Sequence, residues 1–205
     1  MDLSALVSDA RMLMRRGERV VLGLAGPPGA GKSTLARALV DALDGLAAYV
    51  PLDGFHLSNV QLDRLGLRAR KGAEATFDVR GYAALLVRLT SEPGREVYVP
   101  DFDRGLDEPV AARHHVAPAV RLVVTEGNYL ALDAPGWREA RSLMAEVWYV
   151  DAPEDLRDAR LLARHTGTGL GPAAARARAE MNDRPNAALV AASRSRCDRV
   201  LAAGL

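Results

Sequence analysis

Arg19-Val20-Val21-Leu22-Gly23-Leu24-Ala25-Gly26-Pro27-Pro28-Gly29-Ala30-Gly31-Lys32-Ser33 is an apolar run of strand length that gives way to glycines, then to a lysine and a serine. Its second half fits G-x-x-x-x-G-K-[ST], placed directly after a predicted strand and directly before a predicted helix. Each part has a physical reason. Glycines at Gly26, Gly29 and Gly31 let the backbone bend around an anion without Cβ clashes, and Ala30 is the smallest alternative. The loop amides then point inward as a nest, and the helix that begins near Lys32 adds its positive dipole end. Pro27 and Pro28 have no N–H, so the donors must come mainly from positions 29–34, Thr34 included. Lys32 is expected to reach the terminal phosphates of a nucleotide, and Ser33 to place its hydroxyl on Mg²⁺.

Outward from this loop the chain alternates between two periodicities. Residues 19–25, 47–52, 121–125 and 146–150 are short apolar runs without strict alternation, as strands covered on both faces require. Residues 96–102 read as a further strand, with Pro100 arguing for an edge position, and 199–201 as a last short one. Helical spacing appears at the N-terminus, where Gly17 would stop the first helix, and again over 32–43. It recurs over 78–91, with Asp78 as N-cap, and over the arginine-rich stretches 153–165 and 172–183. Residues 59–76 are polar and read as a short helix plus a mobile loop. Strands alternating with helices predict an α/β, three-layer fold with a mainly parallel sheet of about five strands. Without repeat or linker, residues 1–205 are expected to be one domain, with 153–185 as lid and following helix.

Composition narrows the function classes. The 27 basic and 26 acidic residues nearly cancel, leaving no broad field for nucleic acid. Only Lys32 and Lys71 are lysines; the other basic residues are arginines. Cys197 stands alone, so no intrachain disulfide and no cysteine-based metal site is possible. No apolar run is long enough to cross a bilayer and no signal-peptide order is present, so a cytoplasmic protein with no membrane partner is expected.

In parallel α/β sheets ligands bind beyond the carboxyl ends of the strands, and two acids fall there. Asp53, before Gly54, is placed to accept a proton from a substrate hydroxyl; the same residues also read as an Asp-Gly turn with a solvated acid. Glu126, before Gly127, is placed to serve Mg²⁺ or its waters; a helix-capping acid is the other reading. Arg157, Arg160 and Arg164 share one helix face. Beside a phosphate loop they read as a lid that stabilises charge on a transferring phosphoryl, with residues 166–171 (Thr-Gly-Thr-Gly-Leu-Gly) as hinges. By themselves they would read as a solvated, salt-bridged helix. His114-His115 lack a partner at metal-ligand spacing and are expected at the surface. Tyr129, Trp137 and Trp148 read as packing residues.

With these motifs assembled, the chain resembles the phosphoribulokinase, uridine kinase and bacterial pantothenate kinase superfamily. It is most similar to that superfamily's small bacterial fructokinase-like or nucleoside/nucleotide kinase-like branch. The resemblance is carried by the phosphate loop, by Asp53-Gly54-Phe55-His56, by Arg70-Lys71-Gly72 with Thr76-Phe77-Asp78, and by Pro100-Asp101-Phe102-Asp103-Arg104. It continues through Glu126-Gly127-Asn128-Tyr129 and Asn182-Asp183 with Pro185-Asn186, in family order over about residues 20–190. It implies a P-loop kinase fold, ATP as donor, Mg²⁺ as cofactor, a small-molecule hydroxyl acceptor and a homodimer. Asp53 would be the general base, with Lys32, Arg160 and Arg164 holding the phosphoryl group and Glu126 near the metal. On the acceptor side it places His56, Lys71, Phe77, Asp78, Arg104, Asn128 and Tyr129. For Lys71 the residues themselves say only an exposed cation in a loop.

Nucleoside kinases of the superfamily carry Asp-Ser-Phe-Tyr where this chain has Asp53-Gly54-Phe55-His56, which disfavours uridine and cytidine. The Asp-Gly-Phe and Lys-Gly elements look more like pantothenate kinase, but this chain is much shorter. A sugar-like acceptor is therefore the leading expectation, with a nucleoside or pantothenate-type acceptor as alternative. A different class, an ATP-dependent switch or assembly factor, is also open. The Asn-Lys-x-Asp motif of regulatory GTPases is absent, since neither lysine follows Asn or Thr.

Overall fold

The computed structural model describes residues 2–167 and 169–202. Its centre is a five-stranded sheet in the order β2-β5-β1-β6-β7, formed by Ala47–Pro51, Leu122–Glu126, Val20–Ala25, Glu146–Asp151 and Arg199–Ala202. Every neighbouring pair is parallel. The fold is α/β, as the alternation predicts. All six residues of β1 and all five of β5 are buried. Their lack of polar alternation follows from helices on both faces.

Successive side chains of each strand feed opposite layers. Leu22, Leu24, Leu122, Val124 and Trp148 pack with α1 (Leu3–Leu13) and α2 (Lys32–Ala42), whose Leu6, Ala10, Leu35 and Leu39 are buried. Val21, Val123 and Val147 face the other way, onto Tyr82, Leu86 and Leu89 of α4 (Val79–Ser91), onto Trp137 of α5 (Trp137–Ser142), and onto Val190. Asp78 caps α4 as expected, accepting from the Gly81 N–H at 2.9 Å, and Asp2 caps α1 in the same way, accepting from the Ser4 N–H at 2.9 Å. No helix among the described residues is long and apolar enough to cross a membrane.

Three expectations are corrected. Residues 96–102 do not edge the parallel sheet: β3 (Val97–Asp103) pairs antiparallel with β4 (Glu108–Val116) in a separate hairpin. β4 is hidden in the sequence by Pro109 and by mixed polarity. Pro100, which has no ladder donor, sits where the register shifts between Val99 and Asp101, opposite Ala112 at φ +55°. Residues 59–76 are not a loose loop. α3 (Asn59–Leu65) is capped by Ser58, and two 3₁₀ turns follow, with Lys71 and Thr76 buried. Finally, helix does not stop at 183. α6 (Glu154–Gly167) and α7 (Pro172–Arg178) lead into a π-helical turn over Ala179–Asp183, which continues as α8 (Arg184–Ala191). Of the expected hinge 166–171, Thr168 lies outside the described residues.

Candidate active site

The phosphate loop joins β1 to α2 at the carboxyl end of the sheet. Gly26, Gly29 and Gly31 have φ of +149°, +78° and +96°. A Cβ on Gly26 would lie 2.5 Å from the Val150 carbonyl oxygen, and one on Gly29 would lie 2.8 Å from that of Arg157. Neither conformation nor space admits a side chain, so the glycines are required by the bend itself. Lys32 is buried and its ammonium donates to the carbonyls of Gly26 (2.8 Å) and Pro27 (3.0 Å) and to Asn128 Oδ1 (2.8 Å). Burial drives its pKa down to about 8, against the opposing pull of Glu126 and Asp53.

Glu126 closes β5 next to this loop and is buried. Its Oε1 accepts from Ser33 Oγ at 2.9 Å and from Tyr49 OH at 2.8 Å. Burial, reinforced by the neighbouring Asp53, raises its pKa, while Lys32 and the two hydroxyls oppose that rise. Tyr49 is a site residue that the sequence does not single out, because a tyrosine inside a strand reads as packing. Its ring lies 4.5 Å from the Arg37 guanidinium and edge-on to His114, so it is held on two sides. His114 is not a free surface histidine: its Nε2 meets Asp101 Oδ2 at 2.8 Å.

Asp53 stands just beyond β2, on a 3₁₀ turn over Leu52–Phe55. The hairpin crosses this turn closely; a Cβ on Gly54 would lie 2.5 Å from the Pro100 carbonyl carbon and oxygen. That crossing brings Arg104, beyond the end of β3, to 3.4 Å from Asp53 Oδ2. His56 and Phe77 bridge antiparallel, and His56 lies between the rings of Phe77 and Phe102.

Lys71 corrects the reading of an exposed cation. It is 5% exposed, and its ammonium contacts Asn59 Oδ1 at 2.6 Å, the Asp107 carbonyl, and Asp107 Oδ2 at 3.1 Å. The next residues join further elements: Asn182 Nδ2 donates to the Lys71 carbonyl at 2.7 Å, and Tyr129 OH to the Gly72 carbonyl at 2.8 Å. This segment therefore ties α3, the hairpin turn, the loop after β5 and the π turn together.

One cavity of about 660 Å³ gathers most of the expected site. Its wall is formed by Gly29, Gly31, Lys32, Ser33, Thr34, Glu126 and Asn128 around the phosphate loop, by Asp53, His56, Lys71, Phe77 and Arg104, and by Arg160 and Arg164 from α6. Arg160 also donates to the Gly29 carbonyl at 3.2 Å, which ties α6 to the phosphate loop. Gly26 and Ala30 support the loop from behind and are not on the wall. Two acceptor-side expectations fail on placement. Asp78 is an exposed helix cap, and Tyr129 is fully buried with its hydroxyl spent on Gly72. The wall also contains Asn182, Asp183 and Asn186, which the sequence presents as part of the resemblance motif, and Arg178, which it does not single out.

A glycine-rich loop at a helix N-terminus, a buried acid hydrogen-bonded to its serine, and an arginine-bearing helix over a parallel sheet define the class of P-loop kinases. The chain belongs to the phosphoribulokinase/uridine kinase family, whose sequence profile matches residues 21–169. A Silicibacter sp. TM1040 protein, described provisionally as a fructose transport system kinase, has 40% identity and a TM-score of 0.89, over 98% of this chain and 99% of that one. A Schizosaccharomyces pombe protein, named provisionally as uridine kinase C227.14, is 37% identical over 80% of this chain and 74% of its own length. The uncharacterized YggC of Escherichia coli K12 is also 37% identical, over 82% of this chain and 71% of its own.

Proposed function

We propose that this protein transfers the γ-phosphoryl group of ATP, with Mg²⁺, to a hydroxyl of a small sugar-like metabolite. The observation that carries this reading is a single cavity lined both by the phosphate loop and by Asp53. In-line transfer needs little covalent chemistry from the protein, mainly positioning and charge stabilisation. Asp53 accepts the proton of the attacking hydroxyl, and Arg104, 3.4 Å away, orients the carboxylate. Lys32 turns from the loop carbonyls to the terminal phosphates, while Arg160 and Arg164 close from the lid side.

Ser33 Oγ and Glu126 Oε1, 2.9 Å apart beside the loop, are hard oxygen donors. They suit Mg²⁺, which binds through one or two protein oxygens plus phosphate and water. When bound, the metal neutralises phosphate charge as it develops. Support for the sugar-like acceptor is the Asp-Gly-Phe-His sequence and the name borne by the Silicibacter relative. The name of the yeast relative favours a nucleoside instead.

A coupled ADP-release assay with ATP and Mg²⁺ over sugars, nucleosides, pantothenate and glycerate tests the reading. Release stimulated by one compound and lost in Lys32→Ala and Asp53→Asn is expected. Tight ATP binding with no stimulation, together with ATP-dependent capture of a protein partner, would overturn it in favour of a switch.

A further inference from the structure

His56 follows Asp53 by one turn of the 3₁₀ segment, and its Nδ1 lies 2.8 Å from the Asp53 carbonyl oxygen. A carbonyl oxygen only accepts, so Nδ1 must carry the proton. Burial lowers the pKa of the ring, outweighing the opposing effect of Asp53, while Lys71 and Arg104 push the same way as burial. The imidazole is therefore neutral near neutral pH, with a lone pair at Nε2. Nε2 has no hydrogen-bond partner among the described residues, yet it is not sealed away. Asn182 Oδ1 is the one enclosed side-chain polar atom without a partner among those residues. His56 lines the same cavity as Asp53. Phe77 and Phe102, at centroid distances of 4.0 and 4.8 Å, clamp the ring, so the acceptor atom is fixed in direction.

Lys71 is occupied by Asn59 and Asp107, and Arg104 faces Asp53. We infer that His56 Nε2 accepts a hydrogen bond from a second hydroxyl of the phosphorylated molecule, beside the hydroxyl that Asp53 activates. The acceptor is then a neutral diol or polyol along this wall, since a carboxylate has no donor to offer Nε2. Selection acts through a site that is complete only when a donor fills it, the arrangement that discriminates most strongly against an analogue lacking that donor. The inference rests on Asp53 being the site of transfer, but its core, a fixed Nε2 acceptor, is measurable without catalysis.

Long-range ¹H–¹⁵N spectra of the imidazole nitrogens, with His56→Gln to assign the signal, should show Nδ1 protonated and Nε2 bare. Addition of a free hexose or of uridine should shift Nε2, and the two arms separate a sugar from the ribose of a nucleoside; glycerate should shift it less. An Nε2–H tautomer, or no response to either diol, would overturn the proposal. On the kinetic side, a deoxy analogue lacking the second hydroxyl should lose about 10-fold or more in kcat/KM with the wild type. That penalty should vanish in His56→Phe and be partly retained in His56→Gln. An equal penalty in wild type and His56→Phe would refute the contact. If no compound is phosphorylated but the diols still shift Nε2, the kinase reading fails and this one stands.

Discussion

Lys32 holds its charge in a buried place, and its three bonds to the loop and Asn128 offset only part of the cost. With a pKa of about 8, part of the population is neutral in mildly alkaline solution. Nucleotide phosphates favour the ammonium form, so binding restores the lost proton. ATP affinity, measured without metal, is expected to weaken as pH rises above about 8. Calorimetry in two buffers of different ionisation enthalpy should show proton uptake on the alkaline side; identical enthalpies there would contradict the lowered pKa. A second residue-scale prediction concerns Gly54, where a methyl group would meet the Pro100 backbone. Gly54→Ala should lower unfolding free energy by about 1–3 kcal/mol, read by denaturant titration. Gly94→Ala, in open space, should be nearly neutral, and equal effects would sink the account. At this scale the sequence was informative where chemistry is local. Gly26, Lys32 and Ser33 declare themselves by spacing, and Asp53 and Glu126 by their place after strands. Tyr49 and the buried state of Lys71 were not legible, since both depend on partners distant in sequence, Glu126 and Asp107.

Between elements, the hairpin β3–β4 brings Phe102 and Arg104 to the cavity wall, and it was the least legible part of the fold. Alternation in 108–116 is broken by Pro109 and by the bulge at Ala112, so no periodicity marks the strand. Buried parallel strands such as β1 and β5, by contrast, are continuous apolar runs and were readable directly. Lys71 fastens the hairpin turn to the start of α3 through Asp107 and Asn59. Removing the ammonium should release the turn that follows Arg104. In Lys71→Met, amides of residues 104–108 should exchange with deuterium about 10-fold faster in ligand-free protein. Unchanged exchange would mean the ion pair does not hold the hairpin, and would return Lys71 to a ligand-facing role.

Across the molecule, anchoring is uneven. α4 contributes Tyr82, Leu86 and Leu89 to the core, whereas Leu161 is the one buried residue of α6 and Ala175 that of α7. Few buried contacts mark the low-stability end of a fold, where lids are found. Arginines in 154–184 should be the first cut by trypsin, and ATP, by engaging Arg160 and Arg164, should slow that cleavage several-fold. Equal rates with and without nucleotide would argue against lid closure. The role proposed for Asp53 is to activate a hydroxyl beside a nucleotide held independently by the phosphate loop. Its most direct test measures ATP affinity and acceptor-dependent turnover together in Asp53→Asn. The account predicts nearly unchanged ATP affinity with turnover reduced roughly 10²-fold or more; turnover equal to wild type would contradict it.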